Sequence, residues 1–381
     1  MSQIRNINAV RIRWCANQIG LAQEDLSREL RIADSTFSRL FEGGGGLSFD
    51  QLRRLADFFC RSVFFFLEEG EIKEDEADSP QFRTLTNQNA DVSPKIRRII
   101  KQTEEQRSRY LMLLDALGEN DPAFAPPDLC RSNPEEAARV AREWLGITDQ
   151  NTFDEYRKAI EAAGVLVFRS NGFKGRWQIP RESKILGFSI YERVCPVIFV
   201  RKQPAVARQM FTLAHELGHL LLHGASSIDD EIDLEAVEGQ EQEANKFAGA
   251  FLVPQNALDL VDTNMKPDDP SDFEDWVSSV RSDTGASTEV VLLRLLMFNR
   301  LSLDDYRAYR DWKSDQTVEP PPGGSRAYRY REPRHLFGDV FVKTVLDAIN
   351  AKKIPITKAS KYLDNLKLTD IHKLEEFYAG F

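Results

Sequence analysis

The stretch Phe211-Thr-Leu-Ala-His-Glu-Leu-Gly-His-Leu-Leu-Leu-His223 contains the pattern H-E-x-x-H. Residues four apart lie on one face of an α-helix, so His215 and His219 can present their imidazoles to one metal ion. Glu216 occupies the neighbouring position, where a carboxylate can take a proton from water at such a site. Leucines also recur at helical spacing here, which gives the alternative of a buried amphipathic helix. The two interpretations are compatible if they concern different faces.

A third metal ligand is predicted from the downstream stretch Glu241-Gln-Glu-Ala-Asn-Lys-Phe-Ala-Gly-Ala-Phe-Leu-Val-Pro254. As a helix that stops at the proline, this stretch carries Glu241 and Asn245 on one face. We predict that Glu241 is the third ligand and that Asn245 fixes the tautomer of a ligand histidine by a hydrogen bond. Glu243 is the alternative ligand, and a solvated acidic helix start is the alternative to a site. Two histidines and one carboxylate suit Zn²⁺ and also accept Mn²⁺.

The two stretches together resemble the ImmA/IrrE family of zinc metallopeptidases over about residues 130–300. The resemblance rests on the run from Ala207 to His223, followed by E-x-x-x-N and F-x-x-F-L-V-P. It implies a small zincin-like domain in which His215, His219 and Glu241 bind the metal and Glu216 is catalytic. It also implies endopeptidase activity, since characterised members cleave helix-turn-helix repressors of mobile elements or DNA-damage responses.

Stabilisation of the oxyanion has several candidate residues. By chemistry or by proximity in sequence, they are His223, Tyr191 and Arg208. No spacing rule selects among them. A satisfied core histidine is an equal alternative for His223.

Composition indicates a globular protein of more than one domain. Its 381 residues predict two to three domains, and a net charge of −10 argues against broad electrostatic contact with nucleic acid. The sequence lacks an apolar run long enough to cross a membrane and an apolar signal core at its start, so a cytoplasmic location is expected. The four cysteines are scattered without C-x-x-C and are predicted to be reduced thiols.

Residues 20–43 predict two short helices separated by a turn near Ile32. The spacing resembles the XRE (Cro/C1-like) helix-turn-helix family across about 7–69. In that family the second helix reads the major groove of double-stranded DNA. The carried-over contacts are Gln23, Ser35, Thr36, Ser38 and Arg39. Residues 1–70 contain nine arginines, no lysine and nine acids, however, so the alternative is a helical bundle for homodimerisation or for docking a partner.

The predicted class is α+β, with four segments in order. They are an all-α helix-turn-helix domain (1–70), an acidic linker and connector helix (71–130), a zincin-like metallopeptidase domain of helices and a small sheet (131–318), and a linker with a helical C-terminal tail (319–381). Three short β-rich runs, at 165–168, 185–190 and 196–200, supply the sheet. Helices are predicted at about 94–118, 134–145, 152–163, 273–282 and 287–300, with a further helical module around 356–377.

The sequence favours a zinc endopeptidase that acts on a regulatory protein, namely a repressor or an antitoxin-like helix-turn-helix protein. Such an enzyme would control transcription in a stress, prophage or mobile-element response. The alternative is a DNA-binding regulator or antitoxin whose metal domain is a sensor or is catalytically silent. A third hypothesis joins them: the first domain recognises the matching domain of the substrate by protein contact.

Overall fold

A computed structural model describes residues 3–59, 61–70, 85, 92–129, 132–172, 175–230, 238–316 and 326–380. The chain divides into two compact units, Met1–Glu105 and Gln106–Phe381. The division falls inside the predicted connector helix. Most of the predicted acidic linker, the break at 320–325 and two of the cysteines, Cys60 and Cys130, lie outside the described residues.

The first unit consists of short helices around a small apolar core. Its elements are β1 (Gln3–Ile4), α1 (Ala9–Gln18), α2 (Gln23–Leu30), α3 (Asp34–Phe41), β2 (Leu47–Ser48), α4 (Phe49–Phe58) and a 3₁₀ turn (Phe64–Phe66). Helix α4 begins with a capping box in which Ser48 and Gln51 satisfy each other's backbone N–H groups. The apolar faces meet around Phe37 and Phe66, both fully buried.

A long helix, α5 (Pro94–Leu117), crosses the division between the units. The second unit continues with α6 (Pro134–Trp144), α7 (Phe153–Ala162), α8 (Val206–Gly218), α9 (Gly239–Leu252), α10 (Gln255–Leu258), α11 (Phe273–Trp276), α12 (Ser278–Thr284), α13 (Thr288–Met297) and α14 (Leu303–Ser314). It ends with α15 (Glu332–Asn350), α16 (Ile356–Tyr362) and α17 (Leu368–Ala379). The helix expected at 273–282 is two short helices that meet at Val277, and α14 was not predicted.

The second unit also contains a four-stranded sheet. Its strands are β3 (Leu166–Arg169), β4 (Ile185–Ile190), β5 (Val197–Val200) and β6 (Ser227–Asp230), in the spatial order β3-β5-β4-β6. Strand β3 is parallel to β5, whereas β4 is antiparallel to both β5 and β6. The three predicted runs form three of these strands, and β6, at an edge of the sheet, is an addition. The whole is helix-rich with a small sheet, which is compatible with the predicted α+β class.

The C-terminal helices pack on the sheet within the second unit. Phe168 of β3 makes edge-to-face contacts with Phe337 and Phe341 of α15, with ring centroids 5.6 and 5.8 Å apart. Helix α15 is interrupted at Gly338, whose φ of +80° suits a residue without Cβ. In the ranges that the structure describes, no helix combines the length and the apolarity that a membrane span needs.

Candidate metal centre

The H-E-x-x-H stretch lies on α8 and on the π-helical turn, His219–His223, that continues it. The rings of His215 and His219 are almost completely buried and lie 4.8 Å apart between centroids. Their Nε2 atoms are separated by 3.1 Å. The four-residue spacing therefore brings the two imidazoles together as the sequence predicts.

Helix α9 supplies the third donor. Oε2 of Glu241 lies 3.2 Å from Nε2 of His215 and 3.3 Å from Nε2 of His219. The two helices can approach because α8 ends in Gly218, where a Cβ would lie 3.0 Å from Phe247 and 3.4 Å from the Cα of Ala244. The small side chains at Gly218 and Ala244 thus let the helix that carries Glu241 pack close to the two histidines.

Asp229 of β6 is a fourth member of the cluster, and the sequence did not predict it. Its Oδ2 lies 2.9 Å from Nε2 of His215, and its Oδ1 lies 3.5 Å from Nε2 of His219. The side chain is 1% exposed. The signal in the sequence is weak, since Ser226-Ser-Ile-Asp-Asp230 is short and polar and becomes a strand only by pairing with β4.

The donor set fits a divalent metal ion. Bonds of about 2.0–2.1 Å to a tetrahedral zinc would place neighbouring donor atoms about 3.3–3.4 Å apart. The five separations given above run from 2.9 to 3.5 Å, with a different oxygen of Asp229 beside each imidazole, and one donor atom from each of the four residues lies within 4.8 Å of the other three. Two imidazoles and two carboxylates are also chemically suited to zinc or manganese.

The imidazoles and carboxylates of the cluster stabilise one another's charged forms, as their pKa values show. Burial alone would lower the pKa of His215, but the carboxylates of Asp229 and Glu241 outweigh it and raise that pKa to about 10. Burial would raise the pKa of Glu241, but hydrogen bonds from the two histidines lower it to about 2. A divalent cation can replace these protons, because it neutralises the same carboxylates.

Glu216 lies beside the cluster and is fully buried. Oγ of Ser227 donates to its Oε2 at 2.9 Å, whereas its Oε1 has no hydrogen-bond partner among the described residues. Burial and the neighbouring charge of Asp229 raise the pKa of Glu216 well above its usual range. Gly187 of β4 makes room for this carboxylate, because a Cβ there would lie 2.8 Å from Oε1.

Two other candidate residues, His223 and Glu243, lie on the side of His219 that faces away from the donor cluster. Nδ1 of His223 lies 3.1 Å from Nδ1 of His219, and Nε2 of His223 lies 3.0 Å from Oε2 of Glu243. Glu243, the alternative ligand, therefore contacts His223 and stands outside the donor cluster. His223 is hydrogen-bonded on both ring nitrogens, which is compatible with the alternative of a satisfied histidine, and its role in oxyanion stabilisation stays a prediction.

The remaining candidates lie in three places. Asn245 is buried on α9 one turn after Glu241, and its predicted role stays a prediction. Tyr191 follows β4, and its backbone N–H donates to Oγ of Ser226 at 2.9 Å. Arg208 lines a cavity of about 330 Å³ with Phe211. A role in oxyanion stabilisation stays a prediction for Tyr191 and Arg208.

The predicted DNA contacts lie on α2 and α3 of the first unit. Nε2 of Gln23 donates to Oδ1 of Asp34 at 2.9 Å and to Oγ of Ser38 at 3.0 Å, so these side chains tie the two helices together. The other predicted contacts, all on α3, are Ser35, Thr36 and Arg39. Ser35 and Arg39 are exposed and Thr36 is half-buried.

Comparison with known families concerns the second unit. No curated protein matches the chain. Residues 161–296 match the model of the family Peptidase_M78, described as the IrrE N-terminal-like domain. This range contains all four strands of the sheet, together with α8, α9 and every member of the donor cluster. It supports the ImmA/IrrE resemblance, and we conclude that residues 161–296 are similar to a metallopeptidase domain of the IrrE/ImmA type, in which a metal, typically zinc, is implied.

Proposed function

We propose that this chain is a zinc-dependent endopeptidase that hydrolyses a peptide bond in a regulatory protein. The observation that carries the proposal is the convergence of His215, His219 and Glu241 to tetrahedral spacing with the carboxylate of Glu216 beside them. A buried carboxylate next to a metal-binding group is the arrangement that metal-assisted hydrolysis requires.

The residues of the chain divide the work of hydrolysis. The two imidazoles and Glu241 would hold the metal, which when bound supplies a Lewis acid for the peptide carbonyl and lowers the pKa of water. Once a bound cation offsets the charge of Asp229, Glu216 is ionised, and its Oε1 would accept the proton of the attacking water as the oxygen of that water bonds to the carbonyl carbon. Glu216 would then pass that proton to the leaving nitrogen as the C–N bond breaks. The hydrogen bond from Ser227 to Oε2 keeps the other oxygen free for this transfer.

The proposed substrate is a helix-turn-helix repressor or an antitoxin-like protein of a stress, prophage or mobile-element response. Two features support it: the similarity of residues 161–296 to the IrrE N-terminal-like domain, and the two short helices α2 and α3 of the first unit. Such a unit could bring the peptidase to a regulatory complex, through DNA or through protein contact.

Cleavage is the direct test of this proposal. Helix-turn-helix proteins from the same source are incubated with zinc-loaded protein and with the Glu216→Gln variant, and the products are identified by mass spectrometry. We expect the parent to cut at a defined bond and the variant to lose at least about 10²-fold in rate, as expected when a general base is removed. If neither protein cuts any substrate although both hold zinc, the metal domain is a sensor or is silent.

A DNA-binding regulator is the second candidate, favoured by the exposed side chains of Ser35 and Arg39 near one another on α3. Nε of Arg39 donates to the carbonyl of Ser35 at 3.2 Å, which holds the guanidinium along that surface. If this helix reads a base edge, Arg39→Ala should weaken binding to a selected duplex by about 1–3 kcal/mol. Fluorescence anisotropy measures this, with the exposed Arg53 of α4 mutated to alanine as the control.

The control separates two kinds of contact with DNA. Equal loss in the Arg39 and Arg53 variants would indicate contact with phosphates alone, and no duplex preference in the parent would remove the candidate. Specific binding that survives Glu216→Gln, without any cleavage by the parent, would favour the regulator over the peptidase.

A further inference from the structure

We propose that Asp229 is a fourth metal ligand, so that β6 closes the coordination sphere in this conformation and must withdraw before a peptide can bind. The inference rests on the proposed peptidase function and adds a regulated, self-closed state to it. A catalytic zinc keeps one position open for water or substrate, whereas four protein ligands make a closed site.

The side of the imidazoles that Asp229 approaches distinguishes a ligand from a supporting residue. An acid that orients a ligand histidine lies on the ring nitrogen that faces away from the metal. For His219 that nitrogen is Nδ1, and His223 already contacts it at 3.1 Å. Asp229 instead lies 2.9 and 3.5 Å from the two Nε2 atoms, which face each other and Glu241. Its carboxylate is therefore on the metal side of both rings.

The surroundings of Asp229 also call for a cation. Both of its oxygens are buried and lack a hydrogen bond of good geometry among the described residues, and the polar groups against them are the two imidazoles and the carboxyl of Glu216. A buried carboxylate without hydrogen bonds is costly unless it is paired with a charge or coordinates a metal. The two nearby imidazoles account for part of this pairing, but they are also the donors that a metal would use.

Strand β6 connects this ligand with Glu216. Side chains two apart in a strand point to the same face, so Ser227 and Asp229 both reach the site. Ser227 holds Oε2 of Glu216 at 2.9 Å while Asp229 occupies the fourth position. Because β6 is the edge strand and pairs with β4 on one side, its withdrawal requires the loss of one strand pairing. That single movement would open the metal and release Glu216.

Metal affinity tests whether Asp229 is a ligand. Zinc dissociation constants of the full chain are measured by competition with a chelator for the parent, Asp229→Asn, Asp229→Ala and the control Asp230→Ala on the same strand. Loss of an outer hydrogen-bond partner costs roughly 10–100-fold in affinity, so loss of a direct ligand should weaken zinc binding by more than about 100-fold. The zinc affinity of the Asp230→Ala variant should stay within about twofold of that of the parent, because Asp230 is outside the donor cluster.

An open coordination position is tested independently with cobalt(II) and acetohydroxamate. The visible spectrum of the cobalt-loaded parent should change little when the hydroxamate is added, because four protein donors fill the sphere. The cobalt-loaded Asp229→Ala variant should bind the hydroxamate at least about tenfold more tightly, with a clear spectral shift. Circular dichroism and the isosteric Asp229→Asn variant distinguish this result from a general loss of fold.

The outcomes separate the two proposals. Parent-like zinc affinity and hydroxamate binding in both Asp229 variants would overturn the closed site while leaving the peptidase intact. If the parent binds zinc no better than His215→Ala does, the metal function itself fails. A parent that already binds the hydroxamate as tightly as Asp229→Ala does would also refute closure by β6.

Discussion

At the scale of single residues, the two metal-facing imidazoles differ in what lies on their Nδ1 atoms. Nδ1 of His215 is buried and has no hydrogen-bond partner among the described residues, whereas Nδ1 of His219 contacts His223. If His223 donates its Nε2–H to Glu243, its Nδ1 can accept the Nδ1–H of His219. This leaves the lone pair of Nε2 of His219 for the metal. The relay from Glu243 through His223 to His219 therefore fixes the tautomer of His219, whereas no such contact within the described ranges fixes that of His215.

The relay predicts the effect of changing His223. Burial lowers the pKa of His223 although Glu243 opposes the shift, so the ring is neutral at pH 7 and can accept the hydrogen bond. His223→Ala should lower zinc affinity roughly 10–100-fold, as for other outer partners of ligand histidines. Isothermal titration calorimetry measures the change. The matched control is His372→Ala on α17, whose side chain is 65% exposed, and an equal loss in both variants would contradict the relay.

At the scale of elements, the site depends on two close approaches that small residues allow. Gly218 lets α9 approach α8, and Gly187 lets β4 pass beside Glu216 and Thr212. At position 187 a Cβ would lie 2.6 Å from the side chain of Thr212, which is closer than real Cβ atoms lie to their neighbours. A register shift in the β4–β6 pairing falls at the same place, between Ile185 and Gly187. The backbone of β4 is thus fitted to the helix that carries the ligands.

Periodicity predicted the elements whose own residues determine their structure, and it missed those that depend on a partner. The four-residue spacing of His215 and His219 predicts that they share one face of α8, and the helix predicted to end before Pro254 carries Glu241, which lies beside them. The β-rich runs predicted at 165–168, 185–190 and 196–200 form the strands at 166–169, 185–190 and 197–200 for the same local reason. Strand β6 has one apolar residue among its four and forms by pairing with β4, so Asp229 could not be placed from the sequence.

Helix α14 was also missed, although its start carries a local signal. Oγ of Ser302 accepts the backbone N–H of Asp305, and the carboxylate of Asp305 accepts from the same hydroxyl. A serine followed three residues later by an acid is typical of a helix N-terminus. Most residues of this helix are polar, however, and Tyr309 is its one buried residue, so the spacing of apolar residues does not predict it.

At the scale of the second unit, a buried arginine joins the sheet to the C-terminal helices. The guanidinium of Arg157, on α7, donates to the carbonyl oxygen of Val167 in β3. It also donates to the carbonyl oxygen of Arg334 in α15, at 3.1 Å. Its Nε also lies 3.1 Å from Oε1 of Glu161, and both side chains are at most 5% exposed. The C-terminal helices are therefore held by polar contacts within this unit, as well as by the phenylalanines that pack on β3.

The contact between Arg157 and Glu161 makes the stability of this unit depend on pH. Burial raises the pKa of Glu161 from 4.5 to about 7, although Arg157 opposes the shift. Between these values the folded chain holds a proton that the unfolded chain releases, so the free energy of unfolding falls as pH rises. The contribution is complete below pH 4.5 and is lost through pH 7, a change of about 3 kcal/mol at 1.36 kcal/mol per pKa unit.

Glu161→Gln should remove this part of the pH dependence, because an amide keeps the shape and an oxygen for Arg157 but does not titrate. Urea unfolding of the full chain at pH 5 and pH 8, followed by tryptophan fluorescence, reports mainly on the second unit, which contains four of the five tryptophans. Relative to the parent, the variant should gain about 2.5 kcal/mol between the two pH values, because part of the contribution is already lost at pH 5. The exposed Glu182, changed to glutamine, should follow the parent curve. If the stability of the variant changes with pH as much as that of the parent, Glu161 is ionised throughout this range. Arg157 and the ionised Glu161 would then form a buried ion pair, and the pH dependence would have another origin.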